Sequence, residues 1–108
     1  MNSEIKARFT EALLSGDYKQ GFGVLHEGEC FCAMGVLADL YLKEKGLEWK
    51  PFSGVENVYA FDSGLRVHYG CVSPDIMDWA EMNWQEEVKI TRMNDSEKRT
   101  FADIADYL

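Results

Sequence analysis

The segment FCAMGVLADLYLKEKG constrains the fold most, because its apolar residues recur at helical spacing without interruption. We predict a helix from about Cys32 to Lys45, with Gly46 as its C-cap. Its buried stripe comprises Met34, Leu37, Ala38, Tyr41 and Leu42. Gly35 inside this helix costs about 1 kcal/mol relative to alanine, which predicts that a neighbouring element approaches closely at this position.

Three further helices are predicted from caps and periodicity. The first is capped by Ser3 and stops at Gly16, another is opened by Ser73–Pro74–Asp75, and the last follows Asn94–Asp95–Ser96. Extended structure is expected in a hairpin ending near Phe31, in residues 47–69, and in a short piece from Glu87 to Thr91. The prediction is one α+β domain over residues 1–108, with about four helices packed on a small antiparallel sheet.

The charge balance limits the classes of partner. The 108 residues carry a net charge of −8, which argues against direct binding of nucleic acid because no basic stripe is present. No apolar run is long enough to cross a bilayer, and no signal peptide is recognised at the start. Three cysteines without an export signal indicate free thiols in a reducing cytoplasm.

Several phrases along the chain form a pattern: DYKQGFGVL, FCAMGVLADLY, and MND followed by FADIADYL. Together they resemble a family of small proteins of tailed bacteriophages with "Tyr-x-Gln-Gly", "Phe-Cys-Cys-Leu-Gly-Val-Leu-Cys-Asp-Leu" and "Leu-Asn-Asp … Phe-x-x-Ile-Ala-Asp". The chain departs from this pattern at Ala33 and Ala38, where the family often has cysteine. The resemblance implies a phage origin, the cytoplasm of a bacterial host, and an accessory role such as counter-defence. It brings no assigned reaction and no cofactor.

Two arrangements of cysteine and histidine suggest chemistry. A zinc site would draw on the segments His26-x₃-Cys30-x-Cys32 and His68-x₂-Cys71, although no Cys-x₂-Cys pair is present. A papain-like hydrolase would use Cys32 at a helix N-terminus as nucleophile and His68 as base, with Asp75 or Asn57 orienting the imidazole. The alternative for both is that the thiols are small buried apolar groups.

A ligand pocket is a further hypothesis. Tyr18, Gln20, Gly21 and Gly23 form a loop whose backbone amides can approach a ligand closely. The aromatic side chains that can stack on a base or ring are Trp49, Tyr69, Trp79 and Trp84. Arg66 or Arg92 can hold a phosphate. Such a protein would sequester a small nucleotide without catalysis, unless the glycines only serve turns and the tryptophans only fill the core.

The third predicted helix carries an acidic face. Asp75, Asp78 and Glu81 are spaced to share one side, roughly opposite Trp79, and no Lys or Arg occurs between Ser73 and Glu87. This face either engages a basic groove of a host protein or is simply solvated. The sequence favours a non-enzymatic binder or inhibitor of a host protein or nucleotide signal, with the cysteine hydrolase as the alternative. It leaves the oligomeric state open.

Overall fold

The computed structural model describes residues 1–52, 54–62, 67–68 and 72–108, with the backbone alone at 62, 67 and 68. Within these residues five helices form: α1 (Ser3–Leu14), α2 (Ala33–Lys45), α3 (Pro74–Ala80), α4 (Trp84–Asp95) and α5 (Phe101–Tyr107). Six short strands accompany them: β1 (Lys19–Gln20), β2 (His26–Glu27), β3 (Cys30–Phe31), β4 (Lys50–Pro51), β5 (Tyr59–Asp62) and β6 (Val67–His68). The predicted α+β class is confirmed.

The central element is α2, which contacts α1, α3 and α4. It begins after Cys32 and ends at Gly46, whose φ of 69° is the left-handed conformation of a glycine C-cap, as predicted. The prediction for Gly35 is also confirmed. A Cβ at this position would lie 1.9 Å from the carbonyl oxygen of Leu25, the residue just before β2. Only glycine therefore leaves room for the backbone of Leu25 against the helix.

Two local predictions are wrong. The N-cap of α1 is Asn2, whose side chain accepts hydrogen bonds from the N–H groups of Glu4 and Ile5, and Ser3 is the first helical residue. The piece from Glu87 to Thr91 is helical and lies within α4. Its β-branched residues resemble a strand, but the capping box formed by Asn83 and Glu86 starts a helix just before them.

The remaining helices follow their sequence signals. Ser73 caps α3 through a hydrogen bond from Ile76 N–H, with Pro74 at the first helical position. Thr100 and Asp103 form a capping box on α5. The buried residues of α5 and α1 form one side of the core, and they are Ile5, Phe9, Leu13, Phe101, Ile104 and Ala105.

The strands form two small three-stranded sheets. In the first, β2 and β3 are the predicted antiparallel hairpin, while β1 pairs with β3 in parallel, which the sequence analysis did not predict. In the second, β5 lies between β4 and β6 in antiparallel order. A bridge between Glu27 and Val58 links the two sheets. Strands of two residues carry little alternation, which is why the parallel pair has no clear sequence signal.

Candidate functional site

The segment predicted as a ligand-binding loop is held by the end of α4. Gln20 Nε2 donates a hydrogen bond to Asn94 Oδ1 (2.9 Å), and the Gly21 carbonyl accepts one from Asn94 Nδ2 (2.9 Å). The N–H of Gly23 donates to Asp95 Oδ1 (3.1 Å). These polar groups are therefore engaged within the chain and serve its architecture.

Asn94 is the centre of this network and is only 1% exposed. Its Oδ1 also accepts from the backbone N–H of Ala33 (3.1 Å), and its Nδ2 donates to Asp95 Oδ1 (2.7 Å). Ala33 opens α2, so this bond satisfies one of the N–H groups that a helix leaves free at its start. The network joins the segment around Gln20 to the beginning of α2.

Tyr18, the fourth predicted residue of the loop, contacts a buried carboxylate. Its hydroxyl and the indole N–H of Trp49 donate to the two oxygens of Asp39, and Lys43 Nζ lies 3.0 Å from Asp39 Oδ2. Burial acts to raise the pKa of Asp39, but hydrogen bonds from Tyr18, Lys43 and Trp49 outweigh it and hold the pKa below its usual range. Burial raises the pKa of Tyr18, and the hydrogen bond to Asp39 and the charge of its carboxylate raise it further.

His26 lies in an aromatic stack rather than in a polar site. Its ring stacks on Phe31 (centroids 3.9 Å apart) and on Tyr59 (4.5 Å), and it meets the edge of Trp49 (5.0 Å). Its Nδ1 is buried and has no hydrogen-bond partner within the described ranges of the chain. Burial lowers the pKa of His26, opposed in part by the backbone of Gly28 and the charge of Asp39. The ring therefore packs as a neutral aromatic group.

For the proposed metal ligands, the structure describes His26, Cys30, Cys32 and the backbone of His68, whereas Cys71 lies outside the described residues. Among the side chains that are described, no three His, Cys, Asp or Glu groups cluster to hold a metal ion. The stacking of His26 between two rings explains its position without a metal.

Cys32 caps α2, as its position in the sequence indicates. Its Sγ accepts a hydrogen bond from the N–H of Gly35 (3.4 Å), and the side chain is buried. Burial raises the pKa of the Cys32 thiol to about 11, which outweighs the lowering by the backbone N–H of Gly35. The thiol is thus protonated at neutral pH. The side chain of His68 lies outside what is described, and Asp75 is exposed on α3.

Trp79 is engaged in a surface cluster. Its indole N–H donates to Glu44 Oε2 (2.6 Å), Arg8 Nη1 donates to Glu44 Oε1 (2.8 Å), and the Arg8 guanidinium lies over the Trp79 ring. Tyr41 meets the same ring edge-to-face at 5.3 Å. Trp79 therefore links α3 to α1 and α2. Arg66 and Tyr69 lie outside the described residues.

The acidic face of α3 is present in part. Asp75 and Asp78 are exposed, and neither forms an ion pair with another described residue. Glu81 does not continue this side of the helix. It ends α3 with a positive φ of 52° and accepts a hydrogen bond from Asn2 Nδ2 (3.0 Å). The free acidic groups of this face are therefore Asp75 and Asp78.

The most exposed large apolar side chain of those described is Trp84, the first residue of α4, at 72% exposure. It forms a wall shared by two clefts. One, of about 290 Å³, lies between α3 and α4, and its lining is Val72, Pro74, Met77, Asp78, Trp84 and Glu87. The other, of about 210 Å³, follows α4 and is lined by Trp84, Gln85, Val88, Lys89 and Arg92. We call Trp84 with these two clefts the Trp84 face.

In the sequence-based hypothesis of a ligand pocket, Trp84 is only one of several stacking residues. A signal for its position was present: Asn83 and Glu86 have the spacing of a capping box, which starts a helix at residue 84. With that start, Ile90 and Met93 point to the core and Trp84 to the opposite side.

In the described part of the chain, no helix is long and apolar enough to cross a membrane. No curated protein and no solved structure matches the sequence. A family model described as "Domain of unknown function (DUF8296)" matches residues 1–108. The chain therefore belongs to that family.

Proposed function

We propose that this protein is a non-enzymatic binding protein that holds a partner protein on its Trp84 face. The observation that supports this most directly is the exposure of Trp84, at 72%, between two clefts. Tryptophan is enriched among the few residues that contribute most of the energy of protein interfaces, where it is buried against the partner. An interface tryptophan is exposed to solvent before its partner binds, and Trp84 is exposed in this way between two clefts.

The charges around this face define the partner further. Asp78 and Glu87 line the apolar cleft, and Asp75 is exposed nearby on α3. Together with the net charge of −8, these carboxylates attract a basic surface and accelerate its encounter with the cleft. The partner is therefore a protein with an apolar side chain that fills the cleft and with Lys or Arg beside it.

The environment of the candidate nucleophile supports binding rather than catalysis. A cysteine nucleophile acts as a thiolate, and the pKa of Cys32 is raised to about 11 in a buried position. The nucleotide alternative relied on the Gln20–Gly23 loop, whose polar groups bond to Asn94 and Asp95. The resemblance to bacteriophage proteins makes a protein of the bacterial host, in its cytoplasm, the expected target, with counter-defence as the role.

The experiment is capture of partners from a bacterial lysate on the immobilised protein, followed by mass spectrometry and by calorimetry with each purified candidate. Trp84→Ala should weaken binding of the true partner by at least ~2 kcal/mol, as expected at a central interface residue. Asp75→Asn with Asp78→Asn should slow association. The matched control is Leu14→Ala, since Leu14 is a similarly exposed apolar residue at 59% on α1.

Two results would contradict the proposal. One is a partner bound equally by the protein and by its Trp84→Ala variant. The other is turnover of a substrate that disappears in Cys32→Ser while the fold is retained, which would support the hydrolase.

A further inference from the structure

The outward side of α4 carries one continuous row of residues. The row contains Trp84, Val88 and Arg92, which are spaced four residues apart. It lies on the side of the helix opposite the buried Ile90 and Met93. Trp84 and Arg92 are exposed and Val88 is half-buried. The row is therefore open to a second helix along much of its length.

The two sides of this row have opposite charge. Toward α3, the cleft is lined by the acidic residues Asp78 and Glu87. On the other side, the second cleft is lined by the basic residues Lys89 and Arg92, and the Lys89 ammonium lies over the Tyr107 ring at 6.0 Å. Within the described residues, Arg92 forms no ion pair. Acidic residues thus lie on one side of the apolar pair Trp84 and Val88, and basic residues lie on the other.

We propose that a second copy of this chain occupies the Trp84 face, related by a two-fold axis parallel to α4. Rotation about such an axis brings the acidic edge of each copy against the basic edge of the other. Trp84 then contacts Trp84 of the second copy, and Val88 contacts Val88. Glu87 faces Arg92 of the second copy, five residues further along, which is the spacing of interhelical ion pairs between parallel helices.

Charge excludes the antiparallel alternative. If the two copies of α4 ran in opposite directions across this row, each edge would meet its own equivalent. With Val88 at the two-fold axis, Glu87 would then lie beside Glu87 of the second copy, and the basic residue Arg92 would have no acidic residue opposite it. Like charges directly opposite each other oppose association, so the complementary arrangement is the parallel one.

The pairing is expected to be weak, because one helix row and its flanking clefts form a small interface. The net charge of −8 on each chain also opposes it, although charges beyond about 8 Å from each other are largely screened at physiological salt. Pairing does not depend on the proposed function. Since both use Trp84, a paired copy and a host partner compete for the same face.

The test is sedimentation velocity and equilibrium on the purified protein from about 10 μM to about 1 mM at about 0.15 M salt, a range that covers weak pairing. We expect a reversible monomer–dimer equilibrium. Glu87→Lys and Arg92→Glu should each weaken pairing at least ~10-fold, since each places like charges across both edges of the interface. The double variant Glu87→Lys with Arg92→Glu should restore pairing to within ~3-fold, because it exchanges the two edges.

Trp84→Ala should abolish pairing over this range, and Leu14→Ala, an exposed apolar residue elsewhere, should leave it unchanged. Far-ultraviolet circular dichroism and a melting curve for every variant exclude loss of the fold as the cause. A protein that stays monomeric up to the highest concentration would overturn the proposal. The proposal is also overturned if Trp84→Ala dimerises as strongly as the native protein. It is overturned as well if the single charge variants do not weaken dimerisation, or if the double variant does not restore it. Binding of a host partner is measured separately in the lysate experiment, so failure of pairing and failure of host binding are distinguished.

Discussion

Gln20 donates a hydrogen bond to Asn94 at 2.9 Å across 74 positions of the sequence. This bond connects the strand before the hairpin to the last turn of α4, and the same Asn94 oxygen accepts the N–H that opens α2. Three elements that are distant in the chain are therefore positioned by one buried amide. Its contribution can be measured directly.

Asn94→Ala should lower the free energy of unfolding by about 3 kcal/mol, because it leaves the Ala33 N–H and the Gly21 carbonyl without their partner. It also removes one of the two hydrogen bonds of the Gln20 amide, which keeps its bond to the Arg99 carbonyl. Urea denaturation gives this value. The matched control is Asn83→Ala, which removes an exposed N-cap and should cost only about 1 kcal/mol. Equal losses in the two variants would show that the network is not a centre of stability.

Gly35→Ala should destabilise the protein by at least ~3 kcal/mol or prevent folding, because the new Cβ would lie 1.9 Å from the Leu25 carbonyl oxygen and 2.7 Å from its carbon. The neighbour is backbone and cannot rotate away. Gly46→Ala is the control: its φ of 69° is unfavourable for alanine, but nothing lies within 4 Å, so the loss should be about 1–2 kcal/mol. Thermal and urea unfolding of both variants make the comparison, and a mild effect at Gly35 would contradict the observed contact.

Asp39 makes the free energy of unfolding decrease as the pH falls into the acidic range. Its pKa in the folded protein is held below the usual value by Tyr18, Lys43 and Trp49, so below about pH 4 the unfolded chain binds a proton that the folded chain does not. Stability from this group is present above that pH and is lost as the pH falls through the folded pKa. Asp39→Asn should be less stable at neutral pH and should lose less between neutral pH and acid. Urea midpoints against pH measure this, with the exposed Asp106→Asn as control.

His26 also makes the free energy of unfolding decrease on acidification, but at a higher pH than Asp39 does. Burial lowers its pKa, so as the pH falls below about 6.5 the unfolded chain takes up a proton before the folded chain does, and stability decreases. His26→Phe keeps an aromatic ring between Phe31 and Tyr59 and removes the titration. The variant should gain stability relative to the native protein on acidification from pH ~7.5 to pH ~5. Parallel pH profiles of the two proteins over this range would refute the assignment.

Thiol reactivity separates the roles of two cysteines. Cys32 is buried with its pKa raised to about 11, whereas Cys30 is half-buried in β3. We expect iodoacetamide to alkylate Cys30 faster than Cys32 in the folded protein, and both at similar rates in urea. The variants Cys30→Ser and Cys32→Ser, followed by intact-mass spectrometry, assign the rates. Faster labelling of Cys32 would revive the hydrolase interpretation.

The helices were predictable where local signals determine them. The limits of α2 follow from apolar spacing and from Cys32 and Gly46 at its two ends. In α4 two local signals compete, because alternating β-branched residues resemble a strand while Asn83 and Glu86 begin a helix. The capping box and the burial of Ile90 determined the outcome. For the candidate site, the sequence indicated the acidic residues Asp75 and Asp78 but gave Trp84 no particular weight.

By itself, the sequence determined the α+β class, the limits of α2, the start of α3 and the close approach at Gly35, because caps, periodicity and glycine act over a few neighbouring residues. Only the tertiary structure decided which polar groups are used internally and which side chains stay in solvent. The hydrogen-bond partners of Tyr18, Trp79 and Gln20 lie 21 or more positions away in the chain. They are Asp39 for Tyr18 (21 positions), Glu44 for Trp79 (35 positions) and Asn94 for Gln20 (74 positions). The Trp84 side chain has no such partner among the residues that the structure describes, and its exposure results from how α3 and α4 pack, which no local pattern specifies.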